Sequence, residues 1–360
     1  MTKKQSGVDI DLGNRCSKIA YNWAKKTFSL REPGTGNPLV TVDGGFANIM
    51  DYGGVKVGIS SDGIGTKIEL AERTGIYSTL GFDLIAMIAD DLAAGGMETV
   101  NLSNILDVDH LDADIVDELM KGLYEAASFA RVTVTGGEIA ELGSRIGGYG
   151  ERMHFNWGAT GVGILPGGKE IIDGRAVKPG DAVISLKSRG FRSNGFSLIR
   201  KIMETNFGPE WHLEKYDAQK TWGEILLTPC LIYTPLIADL IRSDAEIHGI
   251  AHITGGGLAD NFSRILRDKK YGAELTGIFP PLPFMLKVQE LGNVPEEQAY
   301  LLWNMGNGML LAVNKDQAQK ILAEISKQNY QAKICGYITG KPQIDIMTAG
   351  NHPQQLTYRY

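Results

Sequence analysis

Acids and glycines occur together at three places in the first half of this sequence, a pairing suited to chemistry on phosphate. In SDGIGTK, residues 61–67, Gly63 and Gly65 flank Ile64, so backbone N–H groups can turn toward one anion. Asp62 can hold a cation there, and Thr66 and Lys67 follow, the lysine able to neutralise phosphate. The spacing does not match GxxxxGK[ST], so a turn without a ligand is an equal reading. Asp90 and Asp91 close the apolar helix pattern of 81-GFDLIAMIADDLAAGG-96. Adjacent acids beside a buried stripe need water or a metal, and either reading is open. Glu138 follows Gly136 and Gly137 in 131-RVTVTGGEIAEL-142, where it caps a following helix or joins a ligand site. Taken together, Asp62, Asp91 and Glu138 are hard oxygen donors of the kind that hold magnesium between protein and polyphosphate.

The second half supplies two more glycine turns. Ser193, Asn194 and Gly195, preceded by Arg192, and Thr254, Gly255, Gly256 and Gly257 each stand between a strand pattern and a helix pattern. Free N–H groups and the helix dipole at such a junction favour an anion, so a phosphate-bearing substrate is expected at the pair of them. His252, just ahead of TGGG, reads either as a base or substrate contact or as a packed residue.

Alternating strands and helices must position these groups. Val55, Val57 and Ile59 alternate into SDGIGTK, predicting a strand that ends in the glycine loop. Helical spacing is predicted over residues 81–95 and 111–130, and strands over Val132–Val134 and Phe155–Ala159. The strand through Val134 is expected to break at the glycines and present Glu138 at its end. The Pro, Gly and charged residues of 165-LPGGKEIIDGRAVKPGD-181 predict a boundary near 168, dividing the chain into domains 1–168 and 169–360. Two strand–loop–helix units follow, AVISLKSRGFRSNGFSLIRKI and HGIAHITGGGLADNFSRIL, and the polar end NHPQQLTYRY reads as a loosely held tail. A mixed α/β architecture results.

Composition narrows the partners. There are 45 glycines among 360 residues, about one in eight against an average of roughly 7%, which points to tight turns and ligand approaches. A formal charge of -6 argues against a general nucleic-acid or anionic-membrane surface. Three scattered cysteines suit neither a disulfide framework nor a zinc cluster, and no segment has the apolar length of a membrane span. A cytoplasmic protein is expected.

The motifs GVDID, SDGIGTK, GFDLIAMIADDL, GGEIAEL, GATGVGIL, SNGFSLIRKI, LLTPCLIY and AHITGGGLADNF occur in one order that resembles the phosphoribosylformylglycinamidine cyclo-ligase family, from Gly7 to about Gly308. The resemblance implies a two-domain PurM-like α/β (α+β) fold, with N-terminal sheets paired in a homodimer. It implies ATP-dependent closure of formylglycinamidine ribonucleotide to aminoimidazole ribonucleotide, with release of ADP and phosphate, in purine biosynthesis. ATP would lie on the N-terminal domain, at Asp62, Gly63, Gly65, Thr66, Lys67, Asp91, Gly136, Gly137 and Glu138. Magnesium would be held by Asp62, Asp91 and Glu138, with Lys67 facing phosphate; Asp43, beside Gly44, is a weaker match to another acid. The ribonucleotide would meet Arg192 to Gly195, His252 and Thr254 to Gly257, with Lys67 and His252 carrying catalytic roles. Such a reaction activates a poor amide leaving group by phosphorylation and needs no covalent enzyme nucleophile, so positioning and charge stabilisation do most of the work.

Two positions depart from the resemblance. Family members usually carry histidine where Arg192 stands, and a cysteine in the stretch that here reads 303-WNMGNGM-309. Arg192 is expected to grip the substrate phosphate bidentately. The alternatives within enzymes are thiamine-monophosphate kinase, selenophosphate synthetase and the hydrogenase maturation protein, the last two relying on cysteine arrangements that this chain lacks. A non-catalytic nucleotide sensor on the same fold is the alternative outside them.

Overall fold

A computed structural model describes residues 10–39, 45–243, 245–266 and 271–359; Asp43, Gly44 and most of GVDID lie outside the described residues. Two sheets organise the chain. The first contains β1 (Asn37–Leu39), β2 (Asn48–Asp51), β3 (Lys56–Gly63), β4 (Glu98–Val108), β5 (Thr133–Glu141) and β6 (Phe155–Ile164), in the order β1-β2-β3-β6-β4-β5. Only β4 and β5 run parallel within it. The second contains β7 (Ala182–Lys187), β8 (Ile247–His252), β9 (Gly272–Leu275), β10 (Asn307–Val313), β11 (Ala332–Thr339), β12 (Gln343–Met347) and β13 (Gln355–Arg359), in the order β13-β12-β9-β11-β7-β10-β8. The expected loose tail is instead β13, paired antiparallel with β12, because Leu356 turns into the core while its polar neighbours face out.

One face of the first sheet is covered by the helix Leu80–Ala94 and its neighbour Ala113–Ala130. The sheet lets the first helix lie close because glycines stand under it. A Cβ at Gly161 would come 2.6 Å from Ile88, and one at Gly58 would come 3.0 Å from Leu92. Ala113–Ala130 starts where Asp112 accepts from the amides of Asp114 and Ile115, an N-cap that satisfies two otherwise unpaired donors. The opposite face is open: Asn156, Thr160 and Ile164 of β6 alternate outward, and Ile105 of β4 is 54% exposed.

β5 corrects the expected break at the glycines. Gly136 and Gly137 lie inside the strand, opposite Ser103 and Asn104, with the register shifting between Leu102 and Ser103. The glycines mark a bulge rather than a turn.

Between Ile164 and Ala182 no strand or helix forms. The apolar interior runs from Leu84 and Leu102 of the first half to Phe196 and Leu258 of the second. The two sheets are therefore joined by packing as well as by the chain.

Candidate functional site at the junction of the two sheets

The SDGIGTK loop emerges from β3, whose last residues are Asp62 and Gly63, and turns through a short 3-10 segment into the helix Ile68–Thr74. Gly65 has φ +69, and nothing stands within 4 Å of where its Cβ would be, so the turn faces open space. Thr66 Oγ1 lies 3.3 Å from Ser197 Oγ, which sets this loop on the first turn of the helix Phe196–Phe207. Gly195, with φ +80, precedes that helix, and a Cβ there would come 2.5 Å from Trp303 Nε1. Gly255 of the TGGG turn packs on the Asn194 amide, about 3.4 Å from the position of its absent Cβ. Thus SDGIGTK, SNG and TGGG meet in one place, contributed by both sheets. Asn194 Oδ1, Asn261 Oδ1 and Trp303 Nε1 are buried there without a hydrogen-bond partner.

Asp91 comes to the same junction from the helix Leu80–Ala94. Its Oδ1 lies 2.7 Å from His252 Nδ1 at the end of β8. Desolvation pushes the Asp91 carboxyl up to about 7, against the charges of Arg264 and Arg192; 23% of the side chain still reaches solvent. Desolvation also raises Asp62 to about 6, although that side chain is exposed; the Gly63 amide opposes the rise and the charge of Asp91 adds to it. Two carboxylates near enough for the charge of one to raise the other are a donor set suited to a hard divalent ion, so Asp62 and Asp91 fit magnesium.

Glu138 does not join them. It stands opposite Ile105, on the uncovered face, whereas Asp62 shares a row with Ala159 and Asn104 on the helix-covered face. Three strand intervals separate the rows' ends, about 14 Å at the usual spacing. Among the described residues no group of three or more His, Cys, Asp or Glu side chains gathers to hold a metal. Gly136 and Gly137 lie at the same remove as Glu138.

The three expected cationic or basic contacts also differ from expectation. Lys67 is fully buried, its ammonium 2.9 Å from Asp83 Oδ1 and 2.8 Å from the Thr228 carbonyl, so it faces an ion pair rather than phosphate. Arg192 is 1% exposed and donates to Asp90 Oδ2 at 2.9 Å and to the Leu231 carbonyl at 3.1 Å, which leaves no fork for a substrate phosphate. His252 is fully buried with both ring nitrogens engaged, and burial together with Arg192 drives its pKa far down. The second departure, Met305, is buried with φ +42 in a turn pinned by Asn304 and Asn307.

Asp83 was not singled out from the sequence, and Asp90 was read there only as an acid needing water or a metal. Both are fully buried, and both hold the segment 228–234 of the second half. Asp83 Oδ1 accepts from the Cys230 amide, and Asp90 Oδ1 accepts from the Tyr233 and Thr234 amides and the Thr234 hydroxyl. The signal was present as spacing: residues seven apart share a helix face.

Family models match the two halves of the chain in turn. The model described as AIR synthase related protein, N-terminal domain, matches residues 44–164, and that for the C-terminal domain matches 178–348. Phosphoribosylformylglycinamidine cyclo-ligase from Thermococcus kodakarensis is 34% identical over 350 residues, covering 97% of this chain and 99% of its own length. The enzyme of that name from Carboxydothermus hydrogenoformans is 36% identical over 347 residues, covering 94% and 96%. The chain belongs to the phosphoribosylformylglycinamidine cyclo-ligase family. Among solved structures, AaThiL complexed with AMPPCP and TMP aligns with a TM-score of 0.62 at 14% identity, covering 94% of this chain and 96% of that one. Thiamine-monophosphate kinase from Stenotrophomonas maltophilia gives 0.59 at 15% identity, covering 89% and 93%. At those identities the cyclo-ligase relative shares its fold with both.

Proposed function

We propose that this cyclo-ligase family member closes the imidazole ring of formylglycinamidine ribonucleotide, using ATP and releasing ADP, phosphate and aminoimidazole ribonucleotide. The observation that carries the reading is the meeting of SDGIGTK, SNG and TGGG, which brings anion-binding backbone from both sheets to one junction. Residues 1–168 serve the nucleotide and 169–360 the ribonucleotide. ATP supplies the phosphoryl group that turns the amide oxygen into a leaving group; Asp62 and Asp91 would hold the magnesium, which would supply charge neutralisation at the phosphates. Ser193, Asn194, Gly195 and Thr254 to Gly257 orient the ribonucleotide, and excluding water there favours ring closure over loss of the phosphoryl group to solvent.

The open face of the first sheet supports a homodimer, since Val57, Ile59, Val162 and Ile164 would otherwise line an apolar surface in water. Glu138 is assigned to that face. Among the described residues no helix is long and apolar enough to cross a membrane.

Incubating purified protein with formylglycinamidine ribonucleotide, ATP and magnesium, and reading phosphate and aminoimidazole product together, tests the assignment. Equal amounts of both are expected. Phosphate without the aminoimidazole, or ATP binding without either, sinks it.

A further inference from the structure

Asp90 and Asp91 are chain neighbours, yet they are joined a second way, through side chains of the other half of the protein. Arg192 Nη2 lies 2.9 Å from Asp90 Oδ2 and 2.6 Å from His252 Nε2, and His252 Nδ1 lies 2.7 Å from Asp91 Oδ1. A guanidinium has donors and no acceptor, so Nε2 of His252 must be the accepting lone pair and the ring proton must sit on Nδ1. That proton points at Asp91 Oδ1. Arginine at 192 therefore sets the tautomer and the ring orientation of His252, and the ring fixes Asp91 Oδ1.

The arrangement is maintained against local costs. Arg192 holds a left-handed backbone, φ +62, which a side-chain-bearing residue disfavours, and its buried Nε has no partner. The guanidinium is anchored by Asp90, by the Leu231 carbonyl and over the Tyr233 ring at 5.3 Å, so it cannot swing out to a substrate without leaving Asp90 unpaired in the interior. We propose that Arg192 is a positioning residue for the metal–nucleotide site, acting through His252 on Asp91. This rests on the reading of Asp91 as a metal ligand given above. Partners that orient a ligating side chain commonly change metal affinity about ten- to hundredfold when removed.

The test uses the full-length protein and reads Mn2+ binding by electron paramagnetic resonance, with a non-hydrolysable ATP analogue present, alongside thermal midpoint and the KM for ribonucleotide. Arg192→Gln is expected to weaken Mn2+ about tenfold or more and to lower kcat while the ribonucleotide KM stays within about twofold. His252→Ala, which cuts the link but leaves the Arg192–Asp90 pair, is expected to weaken Mn2+ similarly, and the double variant no further. Arg192→Lys, which retains charge but has no fork, is expected to recover only part of the loss. Unchanged Mn2+ binding in folded His252→Ala overturns the proposal, as does a rise in ribonucleotide KM with metal binding intact. Because Mn2+ binding is read without turnover, a wild type that binds the ion and its nucleotide but makes no aminoimidazole product defeats the cyclo-ligase reading and leaves this one to be judged by the variants.

Discussion

At Asp62 and Asp91, protons compete with any cation for the same two carboxylates. Their pKa values, raised by desolvation to about 6 and about 7, give the competition a direction. Above pH 8 both are charged, and as pH falls Asp91 protonates first and Asp62 next. Magnesium affinity, measured by calorimetry with the nucleotide analogue, is expected to be flat above pH 8 and to fall through 7 and then 6. Stability of the metal-free protein runs the other way. The folded state holds these protons more tightly than the unfolded chain, so both groups favour folding fully below pH of roughly 4, and that contribution is lost as pH rises through 6 and 7. Urea midpoints at pH 5 and 8 check the sign, and Asp91→Asn should flatten the difference. For turnover, Asp62→Asn is expected to cost several kcal/mol of transition-state stabilisation, with little change in urea midpoint. Near-normal turnover at limiting magnesium would remove Asp62 from the site.

The helix Leu80–Ala94 carries more of the site than any single residue. It covers the first sheet with its apolar side, fastens the second half through Asp83 and Asp90, and brings Asp91 to His252 at the junction of the sheets. Charges seven residues apart on a buried face are tolerable only because each finds a cation and backbone amides waiting. Lys67→Met removes one of those cations and strands Asp83. The expected loss is about 3–5 kcal/mol of stability, because an unpaired buried carboxylate remains. Chemical denaturation measures that, and nucleotide titration of the folded variant at low temperature should show an almost unchanged dissociation constant. A selective loss of nucleotide affinity without destabilisation would instead return Lys67 to the phosphate.

For the whole molecule, the proposed dimer rests on the uncovered face of the first sheet. Light scattering at micromolar concentration is expected to give about twice the 39.1 kDa of one chain. Ile105, 54% exposed at the middle of that face, is a suitable probe. Ile105→Asp should shift the mass toward the monomer while leaving the monomer folded, since its side chain contributes little to the chain's own core. A wild-type mass near one chain would remove the dimer and the placement of Glu138 at its interface.

The mixed α/β class, β3 running into its glycine loop, the helices over 80–94 and 113–130, and the SNG and TGGG turns were all legible in residue order, because hydrophobic periodicity and glycine placement are local properties. Local pattern also drew attention to Asp91 and His252. It could not say that Glu138 faces away from Asp62, since the bulge at Gly136 and the pairing with β4 decide which side of the sheet a residue takes. Nor could it show that Lys67 and Arg192 are spent on Asp83 and Asp90, more than a hundred residues apart in the second case. Whether a charge meets solvent, a ligand or a buried partner depends on what the rest of the chain brings against it. That is fixed only when the two sheets pack.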